Sequence, residues 1–477
     1  MGNIIEIFII SQKRGALLKL NEYLGKFKGK RVAVVGAGVS NTPLIERLLN
    51  LGVDTIVCDK RSRDELGDTA TRFESMGAHL RLGDGYLDGL DTDVIFRTPG
   101  LMPWHPALQA AVQRGAVLTS EVEAFFDICR CKTIGITGSD GKTTTTSVIA
   151  EILRKEGRQT IHVGGNIGTP LLYEADNISP DDIAVLELSS FQLVSMRQSP
   201  NIAIVTNLAP NHLDVHKDMV EYADAKSHIF MHQKPTDRGV FNLDNEYTRN
   251  YAKSVPGMVS FFSRREKVRD GVYLDSGVIY QAVDGQSEKI IDASEIMLPG
   301  VHNIENYMAA FAAVRGLAER DAMAETARTF KGVSHRIELV RELNGVRYYN
   351  DSIASSPTRT MAGLRSFAQK VILIAGGKDK GVPFDELGAE IVKHVKTLVL
   401  TGHAAEQIRD AVTSANGYKH GSPEIILESD FKDAVIAASK AAHDGDIVIM
   451  SPACTSFDQF KNFEERGNTF IEIVKGL

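Results

Sequence analysis

The chain has 477 residues, too many for one compact core at the usual size of about 150 residues per domain, so about three domains are expected. Lys and Arg number 54 against 61 Asp and Glu, a net charge of −7, which excludes the broad positive field that nucleic-acid binding draws on. With 43% hydrophobic and 24% charged residues the composition is globular and not disordered. Four cysteines (Cys58, Cys129, Cys131 and Cys454) are too few and too scattered for a disulfide framework, and the Cys129 and Cys131 pair lacks the two-residue spacer of metal and redox motifs. The apolar run at 4–10 is broken by Glu6 and falls far short of the ~20 residues that span a bilayer. It also has no basic leader and no small-residue cleavage site. Reducing cytosol is the expected compartment, with no membrane and no nucleic acid among the partners.

Short apolar runs ending in Gly, Ser or Asp alternate with helical-period stretches along most of the chain, the pattern of parallel sheets with crossover helices. The class is therefore α/β. Residues 1–30 read as a helical extension before a first strand at 31–36 and a second at 55–59. The 121–130 stretch reads as a helix, with a domain boundary near 122. A second unit opens with a strand at 133–138. It runs through a less regular, β-leaning region at 240–298 and closes with a helix from Asn303 to about Leu317. The third unit starts near Gly332, with strands expected at 346–350, 371–375, 397–401, 424–428 and 446–450. The outer units read as doubly wound sheets flanking a nucleotide-binding middle.

The strongest chemical signal is Gly138-Ser139-Asp140-Gly141-Lys142-Thr143-Thr144, after an apolar strand and before a helix that stops at Gly157. Glycines let backbone N–H groups wrap phosphate oxygens, the helix start adds positive dipole, Lys142 neutralises charge and the Thr143 hydroxyl can ligate Mg²⁺. The spacing departs from G-x-x-x-x-G-K-[ST], because Ile136 stands five residues before Gly141. A second glycine signal, Gly36-Ala37-Gly38-Val39-Ser40-Asn41 with Asp59 ending the next strand, resembles a dinucleotide turn. Asn41 occupies the place of its third glycine, which favours a different nucleotide over NAD and leaves a purely structural turn open. The 183–187 strand delivers Glu187 at its C-terminal end, where an open parallel sheet faces its ligand, so Glu187 can complete an Mg²⁺ shell begun by Thr143. Asn211-His212-Leu213-Asp214 follows another apolar strand, with Lys226 further on in a helix. Local spacing does not decide whether His212 and Lys226 are functional or structural.

Taken together these motifs resemble the Mur ligase family of ATP-dependent amide-forming enzymes that build the peptide of peptidoglycan. The phosphate loop 137–144 is followed in family order by Gly164-Gly165-Asn166-Ile167-Gly168, Glu187-Leu188-Ser189-Ser190-Phe191, Asn211-His212-Leu213-Asp214, His302-Asn303-Ile304-Glu305-Asn306, His335-Arg336 and Asn350-Asp351-Ser352. The segment 451–467 is similar to the D-glutamate-adding branch. The resemblance implies three domains: a Rossmann-like N-terminal domain at 1–122 for the UDP-sugar substrate, a central P-loop ATPase-type α/β domain at 123–331, and a C-terminal Rossmann-like domain at 332–477 for the amino acid. It implies a cytoplasmic, monomeric enzyme using ATP and Mg²⁺ to join D-glutamate to UDP-N-acetylmuramoyl-L-alanine through an acyl phosphate.

Carried over residue by residue, Lys142, Glu187, His212 and Lys226 are catalytic, and Thr143, Glu187, His212 and Lys226 hold metal, with Lys226 carbamylated. Gly138, Ser139, Asp140, Gly141, Lys142, Thr143, Thr144, Asn303, Asn306, Arg336 and Asp351 surround ATP. Ser40, Lys60, Arg61, Thr98, Asn166, Ser189 and His212 lie near the UDP sugar. Ser355, Lys380, Ser456 and Phe463 hold D-glutamate. Ile353 departs from the family, which commonly has Lys after Asp-Ser, and its loss of charge bears on the phosphate or glutamate contacts of that loop. The alternatives are another Mur-family or folylpolyglutamate-synthetase-like ligase with a different amino acid, a nucleotide-gated switch, or a dehydrogenase; no Asp-x-x-Gly follows the Glu187 strand to support the switch.

Overall fold

Strands of five or six residues that are apolar on both faces can be satisfied only inside a layer covered on both sides, and three sheets result. The structure is a computed structural model that describes residues 20–38, 40–211, 215–379 and 381–477. Its chain divides into two compact units: the described part of Met1–Asp292 with Glu305–Ala324, and Ala293–Ile304 with Glu325–Leu477.

In the first unit, β1 (Arg31–Val35), β2 (Asp54–Asp59), β3 (His79–Leu82), β4 (Val94–Phe96) and β5 (Val117–Thr119) form an all-parallel sheet in the order β3-β2-β1-β4-β5. The order reverses between β1 and β4, which opens a crevice at their C-terminal ends. Part of the expected extension is the helix Leu20–Gly25. It buries Leu20, Tyr23 and Leu24, and Phe27 just after it meets Phe96 edge-on at 5.7 Å. Residues 1–19 lie outside the described residues.

The same unit holds a second sheet: β6 (Lys132–Thr137), β7 (Ile161–Gly165), β8 (Ile183–Glu187), β9 (Ile202–Val205), β10 (Arg238–Asn242), β11 (Met258–Ser263), β12 (Gly271–Asp275), β13 (Val278–Val283) and β14 (Gln286–Asp292). Its order is β14-β13-β12-β11-β10-β9-β6-β8-β7, parallel from β7 to β12 with an antiparallel meander at the other edge. The β-leaning region of the sequence resolves into β10 to β14 plus the helix Glu246–Tyr251. The helix expected from Asn303 is Val301–Val314. Strand β6 lies between β8 and β9, so the loop leaving it emerges at the sheet's own reversal point.

The second unit contains β15 (Glu338–Leu343), β16 (Val346–Asn350), β17 (Val371–Gly376), β18 (Val395–Thr401), β19 (Glu424–Leu427) and β20 (Ile447–Ala453), ordered β15-β16-β20-β17-β18-β19. Leu373, Leu398 and Ile449 face the helices carrying Leu387 and Ile408, while Ile372, Val399 and Val448 face Phe431 and Phe470. Strand β15, which the sequence pattern does not announce, is antiparallel to β16. It is a half-exposed edge carrying Glu338, Arg341 and Glu342, and its one local sign is the Asn344-Gly345 hairpin, with φ of 51° and 75°. Among the described residues no helix is long and apolar enough to cross a membrane.

Close helix packing in this unit depends on Gly388: a Cβ there would stand 2.4 Å from the Ala411 carbonyl oxygen. Gly388→Ala gains about 1 kcal/mol of helix propensity but must push apart the helices Asp385–His394 and Ala405–Ser414, which costs about 1–3 kcal/mol. The clash outweighs the gain, and the thermal midpoint of the full chain is expected to fall by several degrees; a calorimetric scan showing an unchanged or raised midpoint would contradict this.

Candidate active site

The phosphate loop is shaped by two glycines and pinned by the neighbouring strand. Gly138 has φ 148° and Gly141, the residue before the helix Lys142–Glu156, has φ 79°. A Cβ at Gly138 would meet Thr206 Oγ1 at 1.9 Å, and one at Gly141 would meet Asn306 Oδ1 at 2.1 Å. Thr206, just past β9, donates to the Asp140 carbonyl at 2.6 Å, and Asn207 Oδ1 accepts from the Asp140 N–H at 3.0 Å. Ser139 Oγ donates to the Ala209 carbonyl at 2.9 Å and sits 3.1 Å from the Tyr222 hydroxyl. Lys142 Nζ donates to the Gly138 and Ser139 carbonyls, both at 2.9 Å. Thr144, in the first turn of that helix, is buried. The helix ends at Gly157 in the left-handed region, φ 72°, where the sequence places its stop.

Glu187 ends β8 with 2% exposure and is held from both sides. Thr143 Oγ1 donates to Oε2 at 2.7 Å and Asn166 Nδ2 to Oε1 at 2.9 Å. Gly165, φ 91°, permits this approach, since a Cβ there would lie 2.2 Å from the Glu187 carbonyl oxygen. The Thr143 hydroxyl and the Glu187 carboxylate are hard oxygen donors of the kind Mg²⁺ takes. Lys226, on the helix Met219–Met231, is 2% exposed; its Nζ donates to Thr137 Oγ1 at 3.2 Å and lies 4.8 Å from the centre of the Tyr222 ring. Burial pushes its amine well below the usual lysine range, the charge of Lys142 adds to the fall, and Glu187 and Asp140 oppose it. His212 lies outside the described residues. Among those described no three His, Cys, Asp or Glu side chains form a metal-binding group.

Around the crevice of the first sheet, Asp59 turns inward. Its Oδ2 accepts from the Ala37 N–H at 2.8 Å and from Arg61 Nη2 at 2.8 Å, and its Oδ1 accepts from Arg61 Nε at 3.0 Å. Both oxygens are therefore engaged in fixing the glycine turn, leaving Asp59 poorly placed to read a ribose as the dinucleotide fingerprint would have it. Asn41 replaces the third glycine by donating to the Val35 carbonyl at 2.9 Å. Thr98 packs against Gly36, the Ser40 carbonyl accepts from the Tyr173 hydroxyl, and Lys60 is exposed. The Ser189 hydroxyl caps the short helix Ser190–Leu193, donating to Gln192 Oε1 at 3.0 Å.

In the second unit, the turn that presents Arg336 has left-handed φ at His335 (63°) and Ile337 (46°), a costly setting for a β-branched residue. Bonds from the His335 N–H to Glu338 at 2.8 Å and from the Ile337 N–H to Asp351 Oδ1 at 3.3 Å hold it. Asp351 Oδ2 accepts from Ser451 Oγ at 2.7 Å. Phe463 meets His335 edge-on, its carbonyl accepts from Ser352 Oγ at 2.8 Å, and Ser456 is buried. Ser355 is half-buried, with its N–H on the Ile353 carbonyl at 2.8 Å. Asn303 Nδ2 donates to the Pro299 carbonyl at 2.6 Å. Lys380 lies outside the described residues.

The Mur ligase middle domain matches residues 136–314 and the Mur ligase glutamate ligase domain residues 335–454. Two relatives, from Acetivibrio thermocellus and Clostridium novyi, bear the name UDP-N-acetylmuramoylalanine--D-glutamate ligase. They are 49% and 48% identical over 464 and 458 residues, each alignment covering 96% of this chain and 99% of the relative. The chain belongs to the Mur ligase family. Its fold is also that of the UDP-N-acetylmuramate-alanine ligase MurC of Thermotoga maritima, with TM-score 0.55 at 16% identity over 94% of this chain and 99% of that one. Like other Mur ligases it is an ATP-dependent ligase.

Several residues of this Mur ligase's site escape motif reading. Thr206 and Asn207 shape the phosphate loop from the next strand. Arg97, 1% exposed, donates Nη2 to the Phe191 carbonyl at 2.6 Å and to Ser195 Oγ at 2.9 Å, joining the end of β4 to the segment after Glu187. His216 stacks on Phe191 at 5.5 Å with its Nε2 3.0 Å from Ser190 Oγ. The only advance sign of these was position, a polar residue just beyond a strand's C-terminal end or beside a motif.

Asp351 supplies a test of the electrostatics. Burial raises its carboxyl from 3.8 to about 7, against the Ser451 bond, the charge of Arg336, the Ile337 N–H and the charge of Arg359. A raised folded value means the folded chain keeps the proton while the unfolded chain has released it. This contribution to stability is full below the unfolded value of 3.8 and is lost as pH rises to about 7. Asp351→Asn is therefore expected to gain stability over wild type progressively from pH 5 to 8, by about 1–4 kcal/mol at the upper end. Thermal melts at the two ends of that range measure it, and a pH-independent difference would contradict the burial argument.

Proposed function

We propose that this Mur ligase adds D-glutamate to the alanyl carboxylate of UDP-N-acetylmuramoyl-L-alanine, in the cytoplasm and as a monomer, in peptidoglycan precursor synthesis. The observation that carries the chemistry is the Thr143 hydroxyl on the Glu187 carboxylate beside the Gly138–Lys142 loop, with the buried Lys226 amine next to it. The names of relatives at 48–49% identity over nearly their whole length support the amino acid.

A carboxylate is a poor acyl donor. The alanyl carboxylate attacks the terminal phosphorus of ATP, ADP leaves, and the D-glutamate amine then displaces phosphate from the acyl phosphate through a tetrahedral intermediate. Loop N–H groups and Lys142 hold the transferring phosphoryl group and offset its charge. Gly138, Ser139, Asp140, Gly141, Thr144, Asn303, Asn306, Arg336 and Asp351 surround the nucleotide in this reading. Ser40, Lys60, Arg61, Thr98, Asn166 and Ser189 orient the UDP sugar, and Ser355, Lys380, Ser456 and Phe463 hold D-glutamate. Thr143 and Glu187 would hold one Mg²⁺, and His212 and Lys226 would serve a second. Mg²⁺ supplies neutralisation of the phosphate charge. A lysine ammonium has no acceptor and cannot ligate a cation. An amine kept neutral by burial adds CO₂ and loses a proton, becoming a carbamate whose oxygens can.

Phosphate release with the muramoyl-alanine nucleotide, ATP and a panel of amino acids tests the reading: D-glutamate is expected to exceed L-glutamate, L-lysine, diaminopimelate and L-alanine, and faster turnover with any of these would refute it. Lys142→Ala is expected to keep wild-type melting and to lose more than about nine-tenths of activity. Lys226→Ala is expected to lose most activity and to regain part with acetate, and its spectrum in labelled bicarbonate should lack the carbamate carbon-13 resonance of wild type. Identical spectra would reject carbamylation.

A further inference from the structure

The helix Glu121–Ile128 gives way at Cys129, whose backbone is extended (φ −64°, ψ 129°) while its N–H still bonds the Phe125 carbonyl at 2.8 Å. One exposed residue, Arg130, separates it from Cys131, and β6 starts at the next position. Helix and strand thus fix the two cysteines from either side of a very short link. Their sulfurs stand 3.3 Å apart, and Cys129 Sγ lies 3.9 Å from the Cys131 carbonyl oxygen. A spacer of one residue matches no metal or redox motif, so this approach comes from the fold and not from a recognisable pattern. Neither thiol belongs to the ligase site: they lie at the start of β6, and the phosphate loop leaves its far end.

The two thiols differ in ways that matter for oxidation. Cys129 is half-buried, so a small reagent reaches it, whereas Cys131 is 6% exposed and packs in the core of its unit. The bond from the Cys131 thiol lowers that of Cys129 below its usual range; burial opposes this, and a Cys131 backbone bond and the charge of Arg130 assist. The same bond, with burial and the neighbouring Cys129 charge, raises the Cys131 thiol. Cys129 is therefore the more readily ionised of the pair and its nucleophile, and Cys131 keeps its proton beside it. An accessible, readily ionised cysteine next to a resolving one is the arrangement of thiols that oxidise reversibly. We propose that Cys129 and Cys131 are a hydroperoxide-sensitive dithiol that closes to an intramolecular disulfide. The Cys129 thiolate attacks one peroxide oxygen, the O–O bond breaks and hydroxide leaves, which gives a sulfenic acid. The Cys131 sulfur then attacks the Cys129 sulfur, the S–O bond breaks, and the departing hydroxide takes the Cys131 proton as water. Two electrons pass from the sulfurs to the peroxide, and a dithiol reductant returns them. The sulfurs have to close from 3.3 Å to about 2.05 Å. The remaining cysteines are poor rivals: burial pushes the Cys58 thiol up to about 12, and Cys454 is 2% exposed.

The experiment treats the full folded chain with hydrogen peroxide in slight excess, quenches with catalase, and alkylates with iodoacetamide after denaturation. Intact mass is expected to show two alkylated thiols instead of four, and peptide mapping to place the missing pair at Cys129 and Cys131, joined by a bond that dithiothreitol opens. Cys129→Ser is expected to lose thiol to peroxide about tenfold more slowly than wild type or slower still. Cys131→Ser is expected to stop at a sulfenic acid on Cys129 that dimedone captures, and Cys131→Ala is read in the same way if the serine variant melts early. None of these measurements needs ligase activity, so their failure is distinct from a failure of the proposed reaction. Four thiols surviving in wild type under peroxide that oxidises an equal concentration of free cysteine would overturn the proposal. So would a disulfide between two chains or to Cys58 or Cys454, sulfinic acid at Cys129 with no disulfide, or undiminished oxidation of Cys129→Ser.

Discussion

The phosphate loop has its shape because the end of β9 holds it there. Glycine at 138 and 141 makes the left-handed backbone possible, but possibility is not order: a flexible loop loses entropy when it closes on a ligand. Thr206 and Asn207 bind the Asp140 carbonyl and N–H, and Ser139 is fixed by Ala209, so the loop's shape is held by its own neighbours. The neighbouring strands then bring further polar side chains to it. Strand β8 brings Glu187 to Thr143, β7 brings Asn166 to Glu187, and the helix Met219–Met231 brings Lys226 beneath the loop. Each comes from a C-terminal strand end or the segment that follows, where a parallel sheet faces its ligand.

Burial does the electrostatic work in both units, with opposite results for bases and acids. Lys226 is forced toward its neutral amine, the form that adds CO₂. Asp351 is forced toward its neutral acid, which weakens its ability to balance Arg336 and Arg359. Arg61, less buried, pairs fully with Asp59 and uses the pair to set the glycine turn of the first sheet.

Of the fold, the parallel strands with continuous apolar runs were legible, β1, β6, β8, β16 and β17 among them, because each is buried on both faces and carries its own hydrophobic signal. Strands β4 and β5 are three residues long, too short for any period, and β15 is a charged edge made by pairing with β16. Of the site, the Gly138–Thr144 loop and Glu187 were legible because local chemistry and strand position coincide there.

By itself the sequence determined the α/β class, the phosphate loop with its helix, the carboxylate at the end of β8 and, through motifs in order, the family. These are local matters: period, glycine placement and spacing along one segment. Tertiary structure alone decided that Thr206 and Asn207 hold the loop, that Arg97 joins β4 to the Glu187 segment, that Asp59 is engaged by Ala37 and Arg61 in the glycine turn, and that Arg359 lies against residue 353. Hydrogen bonds and charges act over a few ångströms in space, and Arg97 and Ser195, for example, stand 98 positions apart, so only the folded chain brings them within reach.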